Sequence, residues 1–341
     1  MKYFIELLQI ALGNRSQLSQ VPTALEWEGI FQEAQRQAIV GVLATGIECI
    51  PEAQRPEKEL LLQWIGQIQL IESTNLAHQK RAADLTRLFL ENGCHNCVLK
   101  GVGVSVCYPN PLRRQCGDID LWVDGNRKDV MNFLRSHFKV GEIRWHHADA
   151  KIFDDVQTEI HFHATWLFNP VRNKRLQPWL NGNGICNATK GHDGFYYPTA
   201  RFNAVYSLVH SFHHLLESGI GFRHIIDYYY ISQTLSDEDR IEVCAELKRF
   251  GLDRFSGAMM WVLNEVCGMD EAYLLCEPNE KEGRFLLDEI MRGGNFGHYR
   301  SDNRKRNSAT RMHALLPHYP SEVLWVVPWK LWHKCWRMVN G

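Results

Sequence analysis

The sequence predicts an α+β protein in which a small α/β unit is enclosed by N- and C-terminal helical regions. Helical periodicity at both ends of the chain and a cluster of short strand patterns between them support this fold class. At 341 residues the chain can bury a large core and form more than one domain. We therefore expect an N-terminal helical region over 1–93, an α/β core over 94–197 and a C-terminal helical region over 198–341.

The N-terminal region repeats apolar residues at spacings of three and four, which predicts helices. One helical pattern covers 23–50, and a longer one without proline covers 57–93 and ends at Asn92-Gly93, a typical helix stop. A short buried strand over 97–101 and a brief helix over 102–108 follow.

The core continues with a strand inside "RRQCGDIDLWV" (113–123), a turn, and a helix that Asn126 is placed to cap. Residues 139–165 alternate as strands do, with Asp154-Asp155 as the expected hairpin turn. Helical periodicity returns over 198–268, and the polar, glycine-bearing stretch 278–312 predicts a flexible connection.

The overall composition excludes several classes of protein. The formal net charge of -1 gives no global attraction to nucleic acid or membranes, so an electrostatic site must be local. No apolar run approaches the roughly 20 residues that span a bilayer. The N-terminus carries Glu6 within its apolar run and lacks a signal-peptide cleavage pattern. We expect a cytoplasmic protein with reduced thiols.

Two aspartates within the predicted strand 113–123 raise the question of function. Residues i and i+2 of a strand lie about 6.5–7 Å apart on one face, so Asp118 and Asp120 project together. Two carboxylates in a partly dry site raise each other's pKa, and a divalent cation such as Mg²⁺ removes that conflict. An exposed face on which both aspartates are solvated is the alternative.

A second strand pattern, "TEIHFH", adds a third carboxylate. Glu159, His161 and His163 share a face by the same period of two. Three neighbouring carboxylates can hold two Mg²⁺ ions about 3.5–4 Å apart. His161 either orients a carboxylate or is an ordinary buried histidine, and His163 is interpreted as structural. A zinc site on this strand is disfavoured because the accompanying aspartates suit hard cations.

The stretch "LKGVGVSVCYPNPLRRQCGDIDLWV", followed about forty residues later by "EIHFH", resembles the DNA polymerase β-like nucleotidyltransferase superfamily, and within it an uncharacterised bacterial branch. The resemblance covers roughly residues 95–230. It implies a small mixed sheet with flanking helices, Mg²⁺ as cofactor, and transfer of a nucleoside monophosphate from an NTP such as ATP. By this resemblance Asp118 and Asp120 are metal ligands, and Glu159 is the third carboxylate that helps to activate the acceptor.

The sequence departs from the superfamily where a Gly-Ser usually meets the triphosphate. Lys100, Gly101 and Gly103 lie at this position, where glycine allows close approach of the backbone to phosphate and lysine supplies charge. Arg114 matches the family arginine before the first aspartate. It is predicted either to clamp a phosphate, or to pair structurally with Asp118 or cap the loop.

The resulting expectation is a Mg²⁺-dependent nucleotidyltransferase with an NTP donor and an unidentified small-molecule or protein acceptor. The absence of a basic stripe argues against long nucleic-acid substrates. A non-catalytic member that binds a nucleotide or a partner is the alternative, prompted by the Lys100-Gly101 departure. A metal-dependent hydrolase that uses the His/Glu strand is a third possibility.

Two features further along the chain have open interpretations. Arg223 and Asp227 are four apart on a predicted helix, where they form either a helix salt bridge or part of a substrate pocket. The tail repeats Trp325, Trp329, Trp332 and Trp336 with basic residues between them. A packing face is favoured there over an interfacial membrane helix or a base-stacking surface.

Overall fold

A five-stranded mixed sheet occupies the middle of the sequence, between two groups of helices, in a computed structural model that describes residues 1–300 and 308–340. The strand order is β1-β2-β5-β4-β3, with β2 and β5 parallel and the other pairs antiparallel. This confirms the predicted α+β class and the mixed sheet. The strands are β1 (Asn96–Leu99), β2 (Ile119–Val123), β3 (Lys139–Ile143), β4 (His147–Lys151) and β5 (Thr158–His161), followed by a two-stranded ribbon of β6 (Thr189–Lys190) and β7 (Tyr196–Tyr197).

The helices fall into three groups along the sequence. The N-terminal group is α1 (Lys2–Ala11), α2 (Ala24–Arg36), α3 (Val40–Cys49) and α4 (Lys58–Glu91). The helices among the strands are α5 (Lys100–Ser105), α6 (Arg127–His137) and α7 (Pro170–Asn183). The C-terminal group is α8 (Ala200–Glu217), α9 (Phe222–Gln233), α10 (Asp237–Arg249), α11 (Asp253–Trp261), α12 (Glu280–Gly293), α13 (Ser308–Leu315) and α14 (Pro320–Asn340).

Several helix boundaries follow local chemistry that the sequence displays. Thr23 and Glu26 form a reciprocal capping box at the start of α2. The side chain of Asn126 accepts a hydrogen bond from the Lys128 amide, so the predicted cap of α6 is confirmed. The long N-terminal helix is also confirmed as α4.

Tertiary contacts divide the segment 23–50, which was expected as one helical pattern. The chain leaves the helix after Arg36, and Ala38 adopts a φ of 56°. Gln37 is fully buried there, donates a hydrogen bond to the Ile290 carbonyl and accepts one from the Phe222 amide. Buried polar groups require such partners, and these two come from distant helices.

Three helices, α7, α12 and α13, form where the sequence predicted none. Helix α7 contains Pro178 and a low proportion of strong helix formers, which concealed it from periodicity. Helix α12 lies within the stretch 278–312 that was expected to be a flexible connection, and it buries Leu286 and Ile290. Helix α13 begins in the same stretch, so the prediction of a connection is wrong for 280–293 and 308–312, while 301–307 lie outside the described residues.

Helix α14 packs part of its tryptophan stripe against α6 and the segment that follows β5. Trp329 stacks on Trp166 with ring centroids 5.0 Å apart, and the Arg127 guanidinium lies 4.3 Å from the ring of Trp336. Trp325 and Trp332 remain 42% and 46% exposed. The packing prediction thus holds for part of the stripe. Within residues 1–300 and 308–340, no helix combines the length and apolarity required to cross a membrane.

Candidate functional site

The three predicted carboxylates lie together at one end of strands β2 and β5. Asp118 immediately precedes β2, Asp120 lies within it, and the parallel register pairs Asp120 with Glu159. One oxygen from each carboxylate lies within 4.8 Å of the others, which is compatible with shared cation binding. A cleft of about 620 Å³ opens beside Asp118 and Glu159. The structure therefore brings together the residues that period-two spacing on two separate strands had suggested.

Asp120 is the most buried of the three carboxylates, with 1% of its surface exposed. The ammonium of Lys100 lies 2.9 Å from Asp120 Oδ1, and His161 Nε2 donates to the same oxygen at 2.8 Å. Burial by itself would raise the pKa of Asp120, but the lysine charge and the histidine hydrogen bond hold it well below its usual range. Asp120 Oδ2 is buried without a hydrogen-bond partner among the described residues, so it is available to a cation.

Burial shifts the pKa of Glu159 and the pKa of His161 in opposite directions. Burial raises the pKa of Glu159, and the hydrogen bond from His161 opposes that rise. Burial would lower the pKa of His161, but hydrogen bonds to Asp120 and Glu159 raise it to about 9. His161 therefore carries a proton at neutral pH and orients both carboxylates, which supports the orienting role among the two left open by the sequence.

The backbone around Lys100 has an unusual conformation, which depends on the glycines Gly101 and Gly103. Lys100 and Gly101 have φ values of 21° and 45°, and a side chain at Gly101 would meet the Asp118 carbonyl at 3.4 Å. A Cβ at Gly103 would lie 2.1 Å from the carbonyl oxygen of Val98. Gly103 thus has a packing reason to lack a side chain, because α5 presses directly on β1.

Arg114 is engaged by the C-terminal helical group and not by the carboxylate cluster. Its Nε and Nη2 donate to the two oxygens of Asp227 at 2.8 and 2.7 Å, and Tyr108 donates to the same carboxylate at 2.5 Å. The ion pair is buried, and its charge keeps the pKa of Asp227 low despite burial. The bidentate face of Arg114 is therefore occupied in a structural ion pair, although its partner is Asp227 and not the Asp118 that the sequence had suggested.

Arg223 is a further cation near the site, and the sequence had left open whether it forms a helix salt bridge or part of a substrate pocket. Asp227 pairs with Arg114 and not with Arg223, so the helix salt bridge considered from the sequence is absent. Among residues 1–300 and 308–340, no carboxylate lies within ion-pair distance of Arg223. Its Nη1 donates to the Gln115 carbonyl at 3.4 Å and its guanidinium lies over Phe296. Burial and the nearby Arg114 lower the pKa of Arg223.

His147 is a residue that the sequence reasoning left out of the site, because adjacent strand residues such as His146 and His147 face opposite ways and do not form a ligand pair. It lies on β4 directly opposite His161 on β5, and only 3% of its surface is exposed. Burial, followed by the charge of His161, lowers the pKa of His147 to about 2, so the imidazole is neutral. The predicted hairpin turn at Asp154 could have indicated this pairing. His147 lies seven residues before Asp154 and His161 seven residues after it, so the two are opposite each other when the strands pair. His163 instead stacks on Trp145, in keeping with a structural role.

Comparison with known proteins assigns a family. A family model described as "Uncharacterised nucleotidyltransferase" matches residues 23–268, which is well over half of the chain. No curated protein matches the sequence. A crystal structure of an antigenic nucleotidyltransferase-like protein from Paracoccidioides brasiliensis is 9% identical, covers 60% of this chain and 96% of its own, and has a TM-score of 0.38. A similarity at this level adds nothing to the assignment, which rests on the family model.

Proposed function

The chain belongs to the uncharacterised nucleotidyltransferase family, and from that membership we propose that it is a Mg²⁺-dependent nucleotidyltransferase. It would move a nucleoside monophosphate from an NTP to a hydroxyl of a small-molecule or protein acceptor. The observation that carries the proposal is the convergence of Asp118, Asp120 and Glu159 beside an open cleft. The predicted division into regions 1–93, 94–197 and 198–341 stays a proposal, with the chemistry assigned to the middle region.

The donor set fits magnesium on chemical grounds. Three carboxylates offer hard oxygen ligands, and one buried oxygen of Asp120 has no hydrogen-bond partner among the described residues. Asp118, Asp120 and Glu159 would hold the metal, and two ions are the number that such a set accommodates in phosphoryl transfer. When bound, Mg²⁺ would neutralise negative charge on the phosphate oxygens during transfer.

The protein's own residues would divide the remaining tasks. In the proposed reaction an acceptor hydroxyl oxygen bonds to the α-phosphorus, the bond between the α-phosphorus and its bridging oxygen breaks, and pyrophosphate leaves. Glu159, whose pKa burial raises, would receive the hydroxyl proton. His161 would keep Asp120 and Glu159 oriented, and Lys100 would place positive charge beside the phosphates.

Arg223 is the residue that we propose for contact with the donor's β- and γ-phosphates. Its guanidinium has no carboxylate within ion-pair distance among the described residues, and the charges of Asp227 and, less strongly, Asp118 act on it. An unpaired guanidinium beside a phosphate site gains charge-assisted hydrogen bonds when the phosphate arrives. Arg114 would contribute indirectly, by fixing Asp227 and hence the position of α9.

Thermal unfolding with each of the four NTPs, with and without Mg²⁺, tests the proposal. We expect stabilisation only when metal and nucleotide are both present, by about 2.7 kcal/mol at a hundredfold excess over Kd. Asp118→Asn should abolish this effect. Asp154→Asn is the matched control, because Asp154 lines the same cleft but is exposed and paired with Lys151.

A transfer assay then tests the chemistry. Label in the α-phosphate of the NTP should appear on an acceptor fraction, whereas label in the γ-phosphate should appear in pyrophosphate. Equal nucleotide stabilisation of the wild type and Asp118→Asn would contradict the proposed metal site. Metal-dependent binding with no transfer to any metabolite or protein fraction would contradict the enzyme assignment.

A non-catalytic nucleotide-binding role is the second candidate function, and one contact favours it. The Lys100 ammonium lies on an oxygen of Asp120 that a catalytic metal would otherwise bind. If the lysine replaces the metal, the wild type should bind NTP without Mg²⁺, and Lys100→Met should gain Mg²⁺ affinity. If the enzyme assignment is correct, Lys100→Met should instead weaken NTP binding.

A further inference from the structure

His147 is a buried histidine whose hydrogen-bonding capacity the protein does not use. Its side chain is 4% exposed, and neither ring nitrogen has a well-aligned hydrogen bond among the described residues. Leaving a buried polar group unsatisfied costs about 1–3 kcal/mol. A buried histidine with this energetic cost beside a carboxylate cluster suggests that a bound ligand supplies the missing partner of its ring nitrogen.

The neighbours of His147 form a compact set of donor atoms. Its Nδ1 lies 3.1 Å from Glu159 Oε2, and His161 Nε2 lies 3.2 Å from the same oxygen. One donor atom from each of His147, Glu159 and His161 lies within 4.8 Å of the other two. Asp120 Oδ1 also lies close, 2.8 Å from His161 Nε2, but the Lys100 ammonium contacts this oxygen at 2.9 Å, so the donor set is the other three residues.

We propose that His147, Glu159 and His161 form a second metal site, for a divalent transition ion of the manganese, cobalt or zinc class. Glu159 is shared with the proposed catalytic carboxylates, but the site does not require nucleotidyl transfer to take place. Imidazole nitrogens select these ions over Mg²⁺, which prefers an all-oxygen shell. The protein would therefore hold a nitrogen-containing metal position beside the oxygen-rich carboxylate site, and Glu159 would belong to both.

The observed spacing matches what such an ion requires. Ligands at about 2.0–2.2 Å from a metal, separated by tetrahedral or octahedral angles, lie roughly 3.0–3.5 Å from each other. The two separations from Glu159 Oε2, 3.1 and 3.2 Å, fall in that range. Strand pairing fixes this spacing, because His147 is directly opposite His161 and Asp149 is opposite Glu159.

Hydrogen bonding alone explains His161 but not His147. A protonated His161 satisfies Asp120 and Glu159 without any metal. The two cations nearby have other partners: Lys100 forms an ion pair with Asp120, and Arg144 forms one with Glu142. Neither therefore donates a hydrogen bond to the His147 ring. A cation bound beside Glu159 would give His147 Nδ1 the partner that it lacks.

Titration of the full chain with Co²⁺ alone, after removal of metal with EDTA, tests the proposal. The visible spectrum of Co²⁺ reports nitrogen ligation directly and requires no nucleotide or activity. We expect saturable binding of Co²⁺ with the visible spectrum of nitrogen ligation. His147→Gln should weaken it by at least about tenfold, by analogy with losses at residues supporting metal sites, with Mg²⁺ affinity unchanged.

His146→Gln is the matched control, because it makes the same change one residue earlier and lies outside the donor set. It should bind Co²⁺ as the wild type does. Thermal unfolding of metal-free His147→Gln checks that the variant folds. Co²⁺ binding unaffected by His147→Gln, an oxygen-only spectrum, or equal loss of Mg²⁺ affinity would overturn the proposal. Failure of NTP transfer in a protein that still binds Co²⁺ through His147 would count only against the proposed function.

Discussion

The buried ion pair between Arg114 and Asp227 gives the most decisive test of how the two arginines are used. Two hydrogen bonds of 2.8 and 2.7 Å join the side chains, which are 5% and 12% exposed. At this burial, solvent screens the pair only weakly. Removing either partner leaves the other charge buried without compensation, which costs about 3–5 kcal/mol.

We expect Arg114→Met and Asp227→Leu each to lower the free energy of unfolding by that amount. The double variant should lose much less than the sum, since it leaves neither charge behind. Arg113→Met is the matched control, because its partners Glu48 and Glu72 are 57% and 31% exposed. Such a partly solvated pair should contribute about 0–1 kcal/mol.

Urea unfolding followed by tryptophan fluorescence measures these changes by linear extrapolation. Single losses below about 1 kcal/mol that add in the double variant would refute a structural role for the pair. If Arg114→Met weakened NTP binding without changing the free energy of unfolding, Arg114 would be assigned the phosphate contact.

Three further predictions concern residues of the same site. The pKa of His161 is raised from 6.5 to about 9, so its contribution to stability is present in full below pH 6.5 and lost as pH rises through 9. Urea unfolding of the wild type in EDTA should show this loss, and His161→Gln should not. Gly103→Ala forces a Cβ onto the Val98 carbonyl and should destabilise the fold by about 1–3 kcal/mol in thermal unfolding. Gly117→Ala is the control: its Cβ would meet nothing within 4 Å, so its stability should be close to that of the wild type. Arg223→Gln should raise the Kd for NTP about tenfold or more in isothermal titration, with unfolding unchanged and partial recovery in Arg223→Lys; an unchanged Kd would remove Arg223 from the proposed phosphate contact.

Local pattern was sufficient to locate the carboxylates and much of the secondary structure. The alternation in "RRQCGDIDLWV" and "TEIHFH" placed Asp118, Asp120 and Glu159 on strand faces, and the register of β2 with β5 confirmed that they are neighbours. Helices with strong periodicity or clear caps, such as α4 and α6, formed where expected. Each of these features depends on residues only a few positions apart.

Features that depend on distant partners were not accessible in this way. The break at Gln37 is held by contacts to α9 and α12, and α7 forms in spite of Pro178. Nothing in the sequence near Arg114 indicates that its partner is Asp227, 113 residues later. A guanidinium pairs with the carboxylate that packing brings to it, and the carboxylate nearest to Arg114 in the sequence, Asp118, is not the one it pairs with.

The sequence by itself determined the α+β class, the paired aspartates and the third carboxylate, because strand periodicity fixes which side chains share a face. Only the tertiary structure decided which cation serves which carboxylate: Lys100 contacts Asp120, Arg114 is committed to Asp227, and Arg223 is left without a carboxylate among the described residues. It also placed His147 opposite His161. The physical reason is that electrostatic and ligand-binding interactions depend on distances in space across strands and helices, and these distances are set only when the elements pack.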